Sequence, residues 1–220
     1  MKIVLTRARE GSAPLADRLQ SLGYEVEACP LVRIEPIDGP PVALAGYDWL
    51  VMTSARGVEH LWRRGTLGAL PRVAAIGPGT ANALRDQGVE PTLVADESTQ
   101  EGLLAALPKA AGRVLFAGAE SARDVLAREL DADVVPVYRT VELRPASFPP
   151  GDLVVLASAS AARAFAALRV DRPCVSIGPV TSAEAERHGL AIVEQAVTHD
   201  LEGLVRAVRL AASRLASSPS

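Results

Sequence analysis

Hydroxyl-bearing residues and glycines follow several short apolar runs in this chain. Thr53-Ser54 follows YDWLVM, Gly77 to Thr80 follow RVAAI, and Gly178 to Thr181 follow CVSI. Ser158-Ala159 follows LVVLA in the same way. Each run leads into an Ala-rich amphipathic segment, which places the polar residues where a strand passes into a helix. Because the N–H groups at a helix N-terminus carry partial positive charge, the pattern indicates anion binding.

One stretch of the chain occurs twice, without a gap. The residues that match across the offset of 177 − 76 = 101 include Ile76 and Ile177, Gly77 and Gly178, Pro78 and Pro179, Thr80 and Thr181, Gly88 and Gly189, and the Glu-Gly-Leu triplets 101–103 and 202–204. Chance is a poor explanation of a gapless match of this length. We therefore interpret the two stretches as products of a duplication.

The repeated Gly-Pro-x-Thr sequence describes a particular turn. Glycine permits a tight turn, proline is tolerated in the first helical turn, and threonine can accept a hydrogen bond from a free N–H group there. For one copy, a well-made strand-to-helix turn is a sufficient explanation. Two copies with their neighbours intact favour a function, namely two similar surfaces that accept anions.

Composition excludes several classes of protein. The chain has 220 residues, 49% hydrophobic and 22% charged, which is enough for one large or two small folded domains. A net charge of -3 and an aromatic content of 4% argue against nonspecific nucleic-acid binding and base stacking. His60, His188 and His199 are scattered and no cysteine pair accompanies them, so we expect no metal site.

The sequence also predicts a compartment. The N-terminal apolar run is too short for a signal peptide, and serines and Arg163 interrupt the longest apolar tract, 153–168, so no membrane span is expected. Cys29 and Cys174 lie far apart in the sequence. This favours two small buried residues in a reducing compartment over a disulfide framework. We expect a soluble, cytoplasmic protein.

Ten predicted strands alternate with helices, five in each half, which is an α/β architecture with parallel sheets. The prediction is two similar flavodoxin-like domains, each with a five-stranded parallel sheet and flanking helices. Two extended, Pro-bearing stretches, 31–41 and 141–150, read as linkers. They predict a discontinuous domain of residues 1–34 plus 141–220, an inserted domain of 35–140, and a two-stranded β-ladder hinge between them.

In such sheets the working surface lies at the carboxyl ends of the strands. The hydroxyls and turns described above all stand at carboxyl ends, so we expect them to line a cleft between the two domains. The sequence shows no nucleophile–base pair for that cleft.

Six motifs, in order along nearly the whole chain, resemble the uroporphyrinogen-III synthase family. They are VLTRA near the N-terminus, TSARGV (53–58), AIGPGTANAL (75–84), ESTQEGL (97–103), VYRTV (137–141) and SIGPVTSAEA (176–185). Each motif is weak alone, but their order and spacing together are specific.

The resemblance implies a hydro-lyase of porphyrin and heme biosynthesis that needs no cofactor. Family members cyclise hydroxymethylbilane to uroporphyrinogen III, with loss of water and inversion of the last pyrrole ring, between two domains joined by a ladder. The substrate carries eight carboxylates, which exposed helix N-termini suit. Because the bilane closes to the wrong isomer without an enzyme, the main task of the protein is to hold the bilane in the correct geometry. The implied partner is this small molecule, with no nucleic acid or membrane, in a monomer that makes at most transient contact with hydroxymethylbilane synthase.

The resemblance also implies roles for individual residues. Tyr138, in the VYRT motif, would assist departure of the hydroxyl, although packing of a hinge tyrosine is the competing interpretation. The implied substrate-binding residues are Thr53, Ser54, Ala55, Gly77, Thr80, Thr99, Ser158, Ala159, Gly178, Thr181 and, ranked lower, Arg7. Ala157 stands where Thr53 stands in the other half, and Arg56 replaces a smaller polar residue. These departures blur residue roles without changing the family.

Two other functions compete. A two-domain clamp would bind a small anion tightly without turnover. A nucleotide- or flavin-binding enzyme is the second alternative, but the chain has neither a G-x-G-x-x-G fingerprint nor a P-loop lysine.

Overall fold

The computed structural model describes residues 1–8, 12–121 and 125–217. Within them the contacts divide the chain into two compact units. Unit 1 comprises Met1–Arg33 and Val141–Ser220, and unit 2 comprises Ile34–Thr140. The boundary falls inside two strands, β3 and β10, whose bounds follow.

The strands of the described residues are β1 (Lys2–Leu5), β2 (Glu25–Ala28), β3 (Val32–Pro36), β4 (Val42–Ala43), β5 (Trp49–Met52), β6 (Thr66–Leu67), β7 (Arg72–Ala75), β8 (Leu93–Val94), β9 (Val114–Ala119), β10 (Asp133–Glu142), β11 (Leu153–Leu156), β12 (Cys174–Ser176) and β13 (Ile192–Gln195). The helices are α1 (Ala13–Ser21), α2 (Ala55–Arg64), α3 (Pro78–Asp86), α4 (Gln100–Ala106), α5 (Val125–Glu129), α6 (Ala159–Ala166), α7 (Pro179–Arg187) and α8 (Leu201–Ser217). Among the described residues, no helix is both long enough and apolar enough to cross a membrane.

Unit 1 is built on a five-stranded parallel sheet in the order β13-β12-β11-β1-β2. Alternate strand residues face opposite layers of helices. Ile3 and Leu5 share a core with residues of α1 and α8, whereas Val4 packs with residues of α6 and α7. Burial on both faces explains why β1 and β11 are continuous apolar runs instead of alternating ones.

Unit 2 contains a six-stranded sheet in the order β3-β10-β9-β5-β7-β8. The five strands from β10 to β8 pair in parallel. Leu50 and Met52 pack with residues of α2 and α3, while Trp49 and Val51 pack with residues of α4 and α5. The α/β class with parallel sheets is therefore confirmed.

The prediction of five strands in each sheet is wrong for unit 2. The sixth strand, β3, arises from the Pro-rich stretch for which the sequence predicts a hinge ladder and not a place in the sheet of unit 2. It lies at the edge of the sheet, where a strand that ends in proline, here Pro36, loses no ladder bond from the missing N–H. The two-residue strands β4 and β6, which pair with each other, were also not predicted.

The two sheets have the same spatial order but a different path of the chain. Position by position, β10-β9-β5-β7-β8 of unit 2 corresponds to β2-β1-β11-β12-β13 of unit 1. In unit 1 the chain starts at the second position, which is the doubly wound order 2-1-3-4-5. In unit 2 the first of these five strands along the chain is β5, at the third position, so the order of the repeat is permuted. The offset of 101 residues relates β7 to β12.

Candidate functional site

The predicted binding residues lie at the carboxyl ends of adjacent parallel strands within each unit. In unit 2, β5 leads to Thr53-Ser54 and its neighbour β7 leads to Gly77. In unit 1, β11 leads to Ser158 and its neighbour β12 leads to Gly178. Each unit therefore brings two strand-to-helix turns to one edge of its sheet.

Ser54 and Ser158 are equivalent N-caps. Ser54 Oγ accepts a hydrogen bond from Gly57 N at 2.9 Å, and Ser158 Oγ accepts one from Ala161 N at 3.1 Å. Both residues have extended backbone and satisfy a helix-terminal N–H group that would otherwise lack an intrahelical partner. Ala55 and Ala159 are the first residues of the two helices. A small side chain there leaves the approach to the backbone N–H groups open.

Gly77 and Gly178 are the N-caps of α3 and α7, and at both positions a neighbouring side chain stands where a β carbon would be. Their backbones are extended, with φ values of 176° and 168°, which any residue can adopt. A β carbon on Gly178 would stand 2.7 Å from the imidazole of His199, and one on Gly77 would collide with the Ser98 side chain. The offset of 101 residues relates Ser98 to His199. The repeat therefore pairs the two residues whose side chains contact the equivalent glycines.

Thr80 and Thr181 stand in the first turn of these helices, and both are buried, with 5% and 4% of their surface exposed. The Thr181 N–H donates to the Gly178 carbonyl at 3.0 Å, which closes the turn. The substrate-binding role predicted for the two threonines stays a prediction. Because the two side chains are buried, we expect a substrate to contact the backbone beside them and not the side chains themselves.

Thr99 caps α4, accepting a hydrogen bond from Gly102 N at 2.9 Å. The corresponding residue in unit 1 is Asp200, whose Oδ1 accepts from Gly203 N at 2.7 Å. This backbone hydrogen bond, partly opposed by desolvation, holds the pKa of Asp200 below its ordinary value. Asp200 was missed in the sequence, although the repeat offset leads directly to it. The cap is therefore a carboxylate in unit 1 and a hydroxyl in unit 2.

Tyr138 and Ser54 are brought together by the tertiary structure. Tyr138 lies in β10, with 8% of its surface exposed, and its hydroxyl oxygen is 3.2 Å from Ser54 Oγ. Either oxygen has the geometry of a donor. Tyr138 also belongs to the core cluster of unit 2, so packing and a polar contact hold the phenol together.

His60 is a second neighbour of Tyr138 that the sequence did not identify. The two rings have centroids 5.4 Å apart and are tilted by 32°. Burial is the largest influence on His60 and lowers its pKa, which favours the neutral imidazole at neutral pH. Its Nδ1 atom is buried without a hydrogen-bond partner among the described residues. The sequence did contain a signal for His60: it follows Ser54 and Gly57 at intervals of three residues, which places it on the same side of the helix as the capping serine.

Arg7 follows β1, the strand next to β11, at the same sheet edge as Ser158. The residue is half-buried, and its carbonyl accepts a hydrogen bond from Ser12 Oγ at 3.2 Å. Among the residues that the structure describes, no group of three His, Cys, Asp or Glu side chains is placed to hold a metal ion.

A surface cavity of about 400 Å³ in unit 2 lies beside Thr99, at the start of α4. Asp96, Glu97 and Glu101 line it together with parts of α4. Three carboxylates give this cavity the wrong charge for an anionic ligand, so it does not compete with the strand-end turns.

Comparison with known proteins gives a consistent result. The family model described as "Uroporphyrinogen-III synthase HemD" matches residues 13–206. A Methanocaldococcus jannaschii protein named "Putative uroporphyrinogen-III synthase" is 28% identical, and the match covers 95% of this chain and 98% of that protein. The uroporphyrinogen-III synthase of Synechococcus elongatus is 27% identical, covering 94% of this chain and 93% of the relative.

The fold is also shared with solved structures. A mutant uroporphyrinogen III synthase from Thermus thermophilus matches with a TM-score of 0.68 at 18% identity, covering 97% of this chain and 99% of the other. At these identities the likeness concerns the fold. Since the family model spans residues 13–206, most of the 220-residue sequence, the chain belongs to the uroporphyrinogen-III synthase family, whose enzymes are lyases of tetrapyrrole biosynthesis.

Proposed function

We propose that this chain converts hydroxymethylbilane into uroporphyrinogen III, closing the macrocycle with inversion of the last pyrrole ring and loss of water. The observation that carries the proposal is the contact of the Tyr138 hydroxyl with Ser54, at 3.2 Å. It joins a proton donor to one of the turns suited to anions. The reaction needs both, because the substrate is rich in carboxylates and has to lose a hydroxyl group.

The proposed binding groups are the strand-end turns of both units. In unit 2 these are Thr53, Ser54, Ala55, Gly77, Thr80 and Thr99. In unit 1 they are Arg7, Ser158, Ala159, Gly178 and Thr181. Helix N-terminal N–H groups bind carboxylates without a cationic side chain, which agrees with the scarcity of lysine and arginine among these residues. We propose that the eight carboxylates are shared between the two sets, so that the bilane is held in a coiled conformation.

The proposed catalytic residue is Tyr138. Its phenol gives a proton to the departing hydroxyl, the C–O bond breaks with its electron pair on oxygen, and water leaves. The proton that the bilane releases on ring closure restores the phenol, so the enzyme is unchanged after one turnover. These chemical steps require no cofactor, because positioning of the substrate and proton transfer are sufficient for them.

We propose the remaining organisation on the same basis. Residues 1–34 with 141–220 form one domain, and residues 35–140 form the other, with β3 and β10 as the strands of the hinge. A monomer in the cytoplasm, in transient contact with the enzyme that produces the bilane, completes the proposal.

Analysis of product isomers tests the function. Hydroxymethylbilane is generated in situ, the protein is added without cofactors, and the oxidised porphyrins are separated by chromatography. Dominant isomer III is the expected result, and Tyr138→Phe should slow its formation while the thermal unfolding curve stays close to that of the parent.

Isomer I alone, from folded protein, would contradict the proposal. Tight binding of the bilane without turnover would then favour the anion-binding clamp. Binding of phosphate compounds that porphyrinogen carboxylates do not displace would favour a nucleotide-binding enzyme.

A further inference from the structure

We infer that Ser54 is a positioning residue for Tyr138, and that its hydroxyl donates a hydrogen bond to the phenol oxygen. The inference rests on the proposed function. It changes the role of Ser54 from substrate contact to control of the proton that Tyr138 gives to the departing hydroxyl.

The partners of Ser54 allow its hydroxyl to be the donor, and the chemistry of the reaction selects that direction. Its Oγ accepts from Gly57 N at 2.9 Å, which uses one of its two lone pairs and keeps the hydroxyl proton free to be donated. The Tyr138 hydroxyl oxygen lies within reach at 3.2 Å. A bond accepted from a backbone N–H also polarises the serine O–H group and makes it a better donor.

The opposite direction would not serve the chemistry. If the Tyr138 phenol donated to Ser54, its proton would be held by the serine instead of being presented to the substrate. With Ser54 as donor, the phenol proton is available, and the negative charge that develops on the phenol oxygen is stabilised by the serine.

The other neighbour of the phenol does not fulfil this role. His60 contacts the ring of Tyr138 by stacking, with centroids 5.4 Å apart, and not through a hydrogen bond to the hydroxyl. Among the described residues, Ser54 is therefore the polar contact of the Tyr138 hydroxyl.

Unit 1 provides an internal comparison. Ser158 caps α6 by accepting from Ala161 N at 3.1 Å, and its hydroxyl contacts Ser160 Oγ at 3.2 Å. Helix capping in this fold therefore does not require a tyrosine. The contact of Ser54 with Tyr138 is an additional feature of unit 2.

Steady-state kinetics of single and double variants test the inference, with in situ hydroxymethylbilane as the substrate. Ser54→Ala should lower kcat about tenfold, the effect of one ordinary hydrogen bond, and leave KM within about twofold. Ser54→Thr, which keeps the hydroxyl, should restore most of kcat. In a Tyr138→Phe background, Ser54→Ala should cause no further loss, because the group through which it acts is absent.

Ser158→Ala is the matched control, since it removes the same kind of cap. Whatever factor it causes in the parent, it should cause the same factor in Tyr138→Phe. If Ser54→Ala does not fold, Ser54→Gly removes the hydroxyl at a smaller loss of cap stability.

Four outcomes would overturn the inference. A rise in KM with unchanged kcat in Ser54→Ala would make Ser54 a substrate contact. A full additional loss in the double variant would show that Ser54 acts independently of Tyr138. Unchanged kcat in Tyr138→Phe would remove the tyrosine from the mechanism while isomer III is still formed. Absence of isomer III from the parent protein would instead overturn the proposed function itself.

Discussion

The carbonyl oxygen of Thr198 occupies the space in which a β carbon on Gly203 would have to stand. The same relationship recurs in unit 2, where a β carbon on Gly102 would lie 2.5 Å from the carbonyl oxygen of Glu97. Both glycines lie in the first turns of α8 and α4, next to the capping residues. The glycine of the repeated Glu-Gly-Leu triplet is therefore explained by packing of the helix start against the preceding loop.

This contact predicts that Gly203→Ala destabilises the protein by about 1–3 kcal/mol, the usual cost of forcing an atom into a packed site. The sign is informative, because glycine to alanine inside a helix ordinarily stabilises it. Gly79→Ala is the control: its β carbon would meet nothing within 4 Å, and we expect a stabilisation of about 0.5 kcal/mol. Urea unfolding measures both, and equal midpoints for the two variants would contradict the explanation.

The two serine caps predict similar losses of capping free energy. Ser54→Ala and Ser158→Ala should each lower the free energy of unfolding by about 1 kcal/mol, since each leaves one helix-terminal N–H group without its acceptor, and Ser54→Ala should cost somewhat more because it also removes the partner of the Tyr138 hydroxyl. Ser160→Ala, which removes a hydroxyl that contacts Ser158 without capping the helix, should cost less than either. Chemical denaturation of the three variants is the measurement, and a larger loss for Ser160→Ala would exclude capping as the main effect.

Glu184 predicts a pH dependence of stability. Its side chain, 8% exposed, contacts Arg163 at 3.3 Å, Arg187 at 2.7 Å and His188 at 3.4 Å. Burial alone would raise the pKa of Glu184, but the hydrogen bond from Arg163 and the two arginine charges hold it below its ordinary value of 4.5. A carboxyl group with a lowered pKa in the folded state stabilises the protein above its unfolded pKa, and this contribution is lost as the pH falls through the folded value.

Glu184→Gln should therefore lower the urea midpoint at pH 7, and the difference from the parent should shrink as the pH falls below 4.5. Glu186→Gln, at an exposed position of the same helix, is the control and should change the midpoint little at either pH. A difference for Glu184→Gln that does not vary with pH would contradict the electrostatic explanation.

The cysteines predict different reactivities. Burial raises the pKa of the Cys174 thiol to about 12, and the residue has no exposed surface. Burial, together with the charge of Glu27, also raises the pKa of Cys29, which is 8% exposed. Because the thiolate is the reactive form, iodoacetamide at pH 8 should modify Cys29 slowly and Cys174 only after unfolding in urea. Peptide mass spectrometry separates the two sites, and equal labelling of both in the native protein would contradict this order.

Much of the fold could be predicted from local pattern. The strands buried on both faces are continuous apolar runs, and turns mark their ends, so β1, β5 and β11 were all recognisable. The place of β3 as the edge strand of the unit 2 sheet was not, because the stretch 31–41 predicts only a hinge ladder, and its position in the sheet depends on pairing with β10.

The repeated turn with its capping residues and glycines can be predicted from the amino-acid sequence, because a strand end, a cap and a close approach are requirements of residues near one another in the chain. The family can be recognised in the same way. The contact of Ser54 with Tyr138, across 84 residues, depends on the folded chain. So do the stacking of His60 on that tyrosine and the burial of Thr80 and Thr181. Such relationships depend on which strands are neighbours in a sheet, and that order is set by packing of the whole unit.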